Sequence, residues 1–209
     1  MEIEIPVGKL TLKGDLVIPK NPNGIVIFVH GSGSSRKSPR NKYVASELNS
    51  DGFATLLFDL LTEDEESNRE NVFDIDLLAK RLIEVTKWLS THQGTDNLAI
   101  GYFGASTGAA AALVSAAILG TKISAVVSRG GRVDLAHQHL TNVIAPTLMI
   151  VGGNDREVLE LNLASQKLMK CENELKLISD ATHLFEEPGA LEEVARVASK
   201  WFKNTISSK

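Results

Sequence analysis

The sequence predicts an α/β protein with a twisted, mostly parallel sheet and helices on both faces. Three observations carry this. Four unbroken apolar runs, "GIVIFVH" (24–30), "ATLLFDL" (54–60), "LAIGYFG" (98–104) and "TLMIVGG" (147–153), have the composition of strands buried on both faces. Helical patterns separate them, in the alternation that right-handed crossovers require. Only the start differs: "EIEIPV" and "TLKGDLVIP" alternate apolar and polar residues around Gly8 and Lys9, as an antiparallel hairpin does.

The remaining elements follow in order. "KYVASELNSDG" is helical up to a stop at Gly52. "LTEDEESNRE" (61–70) is polar throughout and is expected to be a solvated loop. "FDIDLLAKRLIEVTKWLSTH" repeats apolar residues at Ile75, Leu78, Leu82, Val85 and Leu89, the spacing of an amphipathic helix. "TGAAAALVSAAILG" is apolar nearly all round, which suits a buried helix. "SAVVSRGG" (124–131) and "ELKLIS" (174–179) complete the strands, and "EVLELNLASQKLMK" and "ALEEVARVASKWFK" supply the last helices. No repeat or linker interrupts the pattern, so residues 1–209 are expected to form a single domain. The short connections after "SRGG" leave little or no chain for a lid.

Composition narrows the function. The 209 residues are 43% hydrophobic and 23% charged, the profile of a soluble globular protein. A formal net charge of −4 argues against nucleic acid as a partner. The charged, alternating "MEIEIPVGKL" is neither a signal peptide nor a membrane span, so no membrane partner is expected and cytoplasmic residence is the default. Cys171 is the only cysteine, which excludes an internal disulfide and a cysteine-rich metal site. Neither a metal nor an organic cofactor is expected.

In parallel sheets, reactive groups gather beyond the carboxyl ends of the strands. Those ends deliver His30-Gly31-Ser32-Gly33, Asp59, Ser106, Arg129, Asn154-Asp155 and, in "DATHLFEEPG", His183. Ser106 sits in "GYFGASTGAAAAL" between Gly104 and Gly108, where strand becomes helix. That pentapeptide fits an ordinary tight turn, and it fits a G-x-S-x-G nucleophile elbow. Asp155 and His183 favour the second reading, because Ser, Asp, His is the α/β-hydrolase chain order. An imidazole at position 183 would take the serine proton, and a carboxylate would fix its tautomer. Asp155 has a competing use, capping the helix that follows it, and Asp134 is the alternative acid. The backbone N–H groups of Ser32 and Thr107 are the expected oxyanion donors, the latter at a helix start. His30 is expected to tether the Ser32 loop. The Gly31-Ser32-Gly33 turn lacks the spacing and lysine of a nucleotide-binding loop.

The segments "FVHGSGSSRKSPRN", "GYFGASTGAAAAL", "PTLMIVGGNDREV" and "DATHLFEEPGALEEVA" resemble the dienelactone-hydrolase-like branch of the α/β-hydrolase superfamily. The resemblance covers nearly the whole chain. It implies an α/β-hydrolase fold with Ser106 as nucleophile, Asp155 as acid and His183 as base. Dienelactone hydrolases proper use a cysteine nucleophile, and Cys171 lies in the wrong segment to supply one. The serine therefore points to a carboxylesterase-like enzyme cleaving small esters or lactones through an acyl-enzyme. A thioesterase, amidase or acyltransferase would use the same triad, and a binding module that has lost its chemistry would share the fold. The family's substrates carry a carboxylate, so an anionic substrate is expected, with Arg36 and Arg129 as the groups that hold it.

Overall fold

The computed structural model describes residues 1–206. β1 (Glu2–Val7) and β2 (Leu10–Val17) form the antiparallel hairpin, with Val7 opposite Leu10 across the turn. β2 then joins β4 (Ala54–Phe58) antiparallel. From there on all neighbours are parallel: β3 (Ile25–Val29), β5 (Ile100–Ala105), β6 (Ile123–Arg129), β7 (Thr147–Gly152) and β8 (Asn173–Ile178). The spatial order of this eight-stranded sheet is β1-β2-β4-β3-β5-β6-β7-β8. Every residue of β3, β4, β5 and β7 is buried, which is why their sequences are unbroken apolar runs rather than alternations.

Two apolar layers cover the sheet. One face carries the core of α4 (Ile75–Leu89) and α5 (Thr107–Leu119). The α4 stripe of Leu78, Leu82, Val85 and Leu89 is buried there, a gain of roughly 2 kcal/mol for each side chain. The alanine run of α5 lets that helix lie close against the sheet, and Ser115 Oγ donates to Ala79 O of α4 at 3.1 Å. The other face is covered by α1 (Pro39–Ser50) and α7 (Ala190–Thr205), which supply Val44, Leu48, Val194, Trp201 and Phe202. Between β7 and β8 runs α6 (Arg156–Gln166).

The segment 61–70 is not the loop its polarity suggests. It contains α2 (Glu63–Glu66), and it leads into α3 (Arg69–Phe73). Thr62 and Glu65 close a reciprocal capping box on α2, and Asn68 caps α3 by accepting from Glu70 N–H at 3.0 Å. Neither short helix has a buried residue. Their caps are joined by two ion pairs, Glu65 with Arg81 of α4 at 2.5 Å and Glu63 with Lys13 of β2 at 3.4 Å, and by the partly buried Val72, which packs against the core. Among the described residues, no helix is long and apolar enough to cross a membrane.

Candidate active site

β5 ends at Ala105 and α5 begins at Thr107, so a single residue makes the turn. Ser106 holds φ 50° and ψ −123°, a conformation that costs an L-residue about 1–3 kcal/mol. Three backbone bonds over-determine it. Ser106 N–H donates to Arg129 O at 3.3 Å, and Ser106 O accepts from Ala109 N–H at 3.1 Å and Arg132 N–H at 3.0 Å. The flanking glycines are required by contact. A Cβ at Gly108 would land on the carbonyl oxygens of Val29 and His30, and one at Gly104 would lie 2.5 Å from Ala109 Cα. The Ser106 hydroxyl makes no hydrogen bond among the described residues.

His183 lies in the loop between β8 and α7. Its ring packs over Gly130, where an added Cβ would lie 3.4 Å from Nδ1 and Cε1. Gly130 directly follows Arg129, the residue whose carbonyl holds Ser106. The ring therefore sits beside the turn. Its Nδ1 is 2.7 Å from Asp155 Oδ2. Asp155 stands at the N-cap position of α6 but makes no side-chain cap bond, so its carboxylate serves the imidazole rather than the helix. Asp134 is engaged elsewhere. Both its oxygens accept from Arg132, Nε and Nη2 each at 2.9 Å, which raises the Arg132 pKa.

His30 fastens the loop after β3. Its Nδ1 is 3.0 Å from Gly31 O, and its Nε2 accepts from Leu60 N–H at 3.1 Å, which makes the ring a neutral Nδ1–H tautomer. Burial lowers its pKa, outweighing the opposing effects of the Gly31 bond and of Asp59. The unfolded chain takes up this proton first, so stability is full above an unfolded pKa of about 6.5 and falls as pH drops below it. Calorimetry between pH 7 and pH 5 should show this fall. His30→Gln, less stable at pH 7, should lack that part of the slope; an unchanged slope would assign it to other groups.

The expected oxyanion donors are not equivalent. Thr107 N–H, the first donor of α5, makes no hydrogen bond among the described residues. Ser32 N–H is already taken, donating to Thr107 Oγ1 at 2.9 Å. Ser32 is thus at the expected place, but its N–H is not free.

Both arginines expected to hold substrate are engaged within the protein. Arg36 is locked among carboxylates: Asp59 Oδ2 at 3.1 Å, Glu2 Oε1 at 2.6 Å and Asp15 Oδ2 at 3.6 Å. Its backbone N–H also donates to Asp59 Oδ1 at 2.8 Å, so the residue ties the Ser32 loop to the sheet edge. Arg129 is buried against the α1 side. Its Nη2 donates to Asn41 Oδ1 at 3.3 Å and its guanidinium lies 5.8 Å from the Phe185 ring centre. Burial, and secondarily the charge of Arg40, lowers its pKa to about 10.

A cleft of about 600 Å³ opens beside the Ser32 loop. Leu60, Leu61, Val72, Phe73 and Leu78 form its apolar walls, the Ser32–Ser35 loop one side, and Glu66 and Arg69 add charge. Neither arginine expected to hold substrate lines it, and it reaches Ser32 without including Ser106 or His183. No group of three or more His, Cys, Asp and Glu side chains among the described residues is arranged to hold a metal ion.

The family model described as the dienelactone hydrolase family matches residues 12–207. The chain belongs to the dienelactone hydrolase family. Among solved structures, this family member superposes on a dienelactone hydrolase from Anabaena variabilis with a TM-score of 0.97 and 52% identity, covering 99% of this chain and 97% of that one. Est1E from Butyrivibrio proteoclasticus gives a TM-score of 0.84 at 17% identity over 98% of each chain, a likeness of fold. Two Mycobacterium tuberculosis proteins, each named a putative phosphoribosyl transferase, are 58% identical over 201 residues. The match takes in 96% of this dienelactone hydrolase family chain but only 45% of theirs, so the chain spans less than half the length of those relatives.

Proposed function

We propose that this hydrolase cleaves small carboxylic esters or lactones through an acyl-enzyme on Ser106. The observation that carries the reading is the 2.7 Å contact between His183 Nδ1 and Asp155 Oδ2 beside the strained turn at Ser106. Asp155 holds the Nδ1–H tautomer, which leaves Nε2 as the base. His183 removes the proton from Ser106 Oγ as it attacks the carbonyl carbon, then returns it to the leaving alkoxide. Water repeats the sequence on the acyl-enzyme and releases the acid. The Ser–His hydrogen bond of such sites tightens as substrate binds, which suits a Ser106 hydroxyl that is otherwise unengaged.

The cleft beside Ser32 supports an apolar substituent on the ester. Its five aliphatic and aromatic walls offer hydrophobic contact, while Arg69 and Glu66 leave room for a polar end. The phosphoribosyl transferase name belongs to proteins more than twice as long, and its chemistry is not needed to account for the residues matched here.

A fluorophosphonate probe tests the reading directly. It should label the protein once, at Ser106 by peptide mapping, and block hydrolysis of p-nitrophenyl butyrate in step with labelling. Narrowing the cleft with Val72→Trp should depress turnover of longer acyl chains more than of acetate. Full ester hydrolysis by protein whose Ser106 is quantitatively blocked would remove the serine mechanism.

A further inference from the structure

Two facts about Thr107 stand together. Its Oγ1 accepts the Ser32 N–H at 2.9 Å, so that donor is already taken. Its own hydroxyl hydrogen has no acceptor among the described residues, although the residue is only 4% exposed. The hydroxyl is thus a donor held ready beside the nucleophile, in a residue whose backbone N–H is also uncommitted.

A substrate oxygen could reach Ser32 N–H only if the Thr107 side chain rotated away. That rotation is unfavourable. Thr107 is β-branched and therefore stiff at χ1, and turning it would strand a buried hydroxyl without its partner. Leaving the hydroxyl in place keeps the Ser32 bond, and accepting that bond polarises its O–H toward a further acceptor.

We propose that the Thr107 hydroxyl, not the Ser32 N–H, is the second donor of the oxyanion hole, with Ser32 N–H bracing it from behind. The tetrahedral oxyanion on the acyl carbon then accepts two hydrogen bonds from one residue, Thr107 N–H and Thr107 Oγ1–H. No proton is transferred in either. Ser32 acts as a positioning residue through its backbone, so its side chain is not needed. The inference rests on the serine reading above and adds a catalytic side chain to it.

Steady-state kinetics on p-nitrophenyl butyrate with Thr107→Val, Thr107→Ser and Ser106→Ala test it. Thr107→Val keeps the shape and removes the donor. It should lower kcat about 10²-fold, the usual effect of deleting one oxyanion donor, with KM changed less than about threefold. Thr107→Ser should restore most of the rate. Binding of a trifluoromethyl ketone, which forms a hemiketal oxyanion on Ser106, should weaken in parallel with kcat/KM, whereas a merely structural role would leave it unmoved. Should Thr107→Val not fold, Thr107→Ala is measured the same way. A valine or alanine variant as fast as wild type, or faster because Ser32 N–H has been freed, overturns the proposal while Ser106→Ala stays dead. Activity retained in Ser106→Ala overturns the serine reading itself, and this inference with it.

Discussion

Ser106→Ala should lower kcat on a short-chain p-nitrophenyl ester by about 10⁴-fold or more while the thermal unfolding midpoint stays within a degree or two of wild type. The size of the first effect follows from removing the atom that forms the covalent bond, a loss that binding and oxyanion stabilisation cannot recover. The second follows from the structure. The serine hydroxyl has no hydrogen bond to lose, and the backbone bonds to Arg129, Ala109 and Arg132 are made by main-chain atoms that alanine retains. Alanine also inherits the φ of 50°, so the strain is neither relieved nor increased. Stopped assays and differential scanning calorimetry on one preparation decide both points. A variant with a tenth of the wild-type turnover would move the nucleophile elsewhere.

The paired aspartates supply the next largest contrast. Asp155→Asn should cost on the order of 10⁴ in kcat, because an amide in that position stabilises the wrong imidazole tautomer. Asp134→Asn should change kcat less than about twofold. Its carboxylate faces Arg132, 2.9 Å away, and that partly exposed pair contributes at most about 1 kcal/mol to stability. Measuring kcat for both variants at one saturating ester concentration separates the two acids. Equal losses would show that the Asp155–His183 contact is not the one that orients the base.

Much of this architecture was legible in the sequence for one physical reason. Parallel strands buried on both faces must be apolar throughout, so β3, β4, β5 and β7 are legible as unbroken runs; Ser106 follows β5, Asp155 follows β7, and His183 follows the less buried β8. What was not legible has equally specific causes. The polarity of segment 61–70 suggests a loop, although Thr62-x-x-Glu65 is a capping-box signature that marks the start of α2. Arg36 lies close after the Ser32 loop in sequence, which suggested a role at the pocket. Its fate is set instead by Glu2, Asp15 and Asp59, carboxylates brought together only by strand pairing. Arg129 was expected to need an anion, yet the fold buries it with an amide oxygen and an aromatic face. The Ser32–Thr107 bond joins positions 75 residues apart, and nothing local to either residue signals it.

The two short helices over the cleft have a consequence for how such a molecule can diversify. The turn at Ser106 is hemmed in by main-chain atoms at both flanking glycines, so that even a methyl group at Gly104 or Gly108 has nowhere to go. Far less constrains α2 and α3, which have no fully buried residue and rest on caps, two ion pairs and the partly buried Val72. Substitution between Thr62 and Phe73 therefore meets little resistance from folding, even though Glu66, Arg69, Val72 and Phe73 all face the cleft. Mutational drift would accumulate in the wall of the cleft and be purged from the turn at Ser106. A lineage built on this frame can reshape the one without disturbing the other.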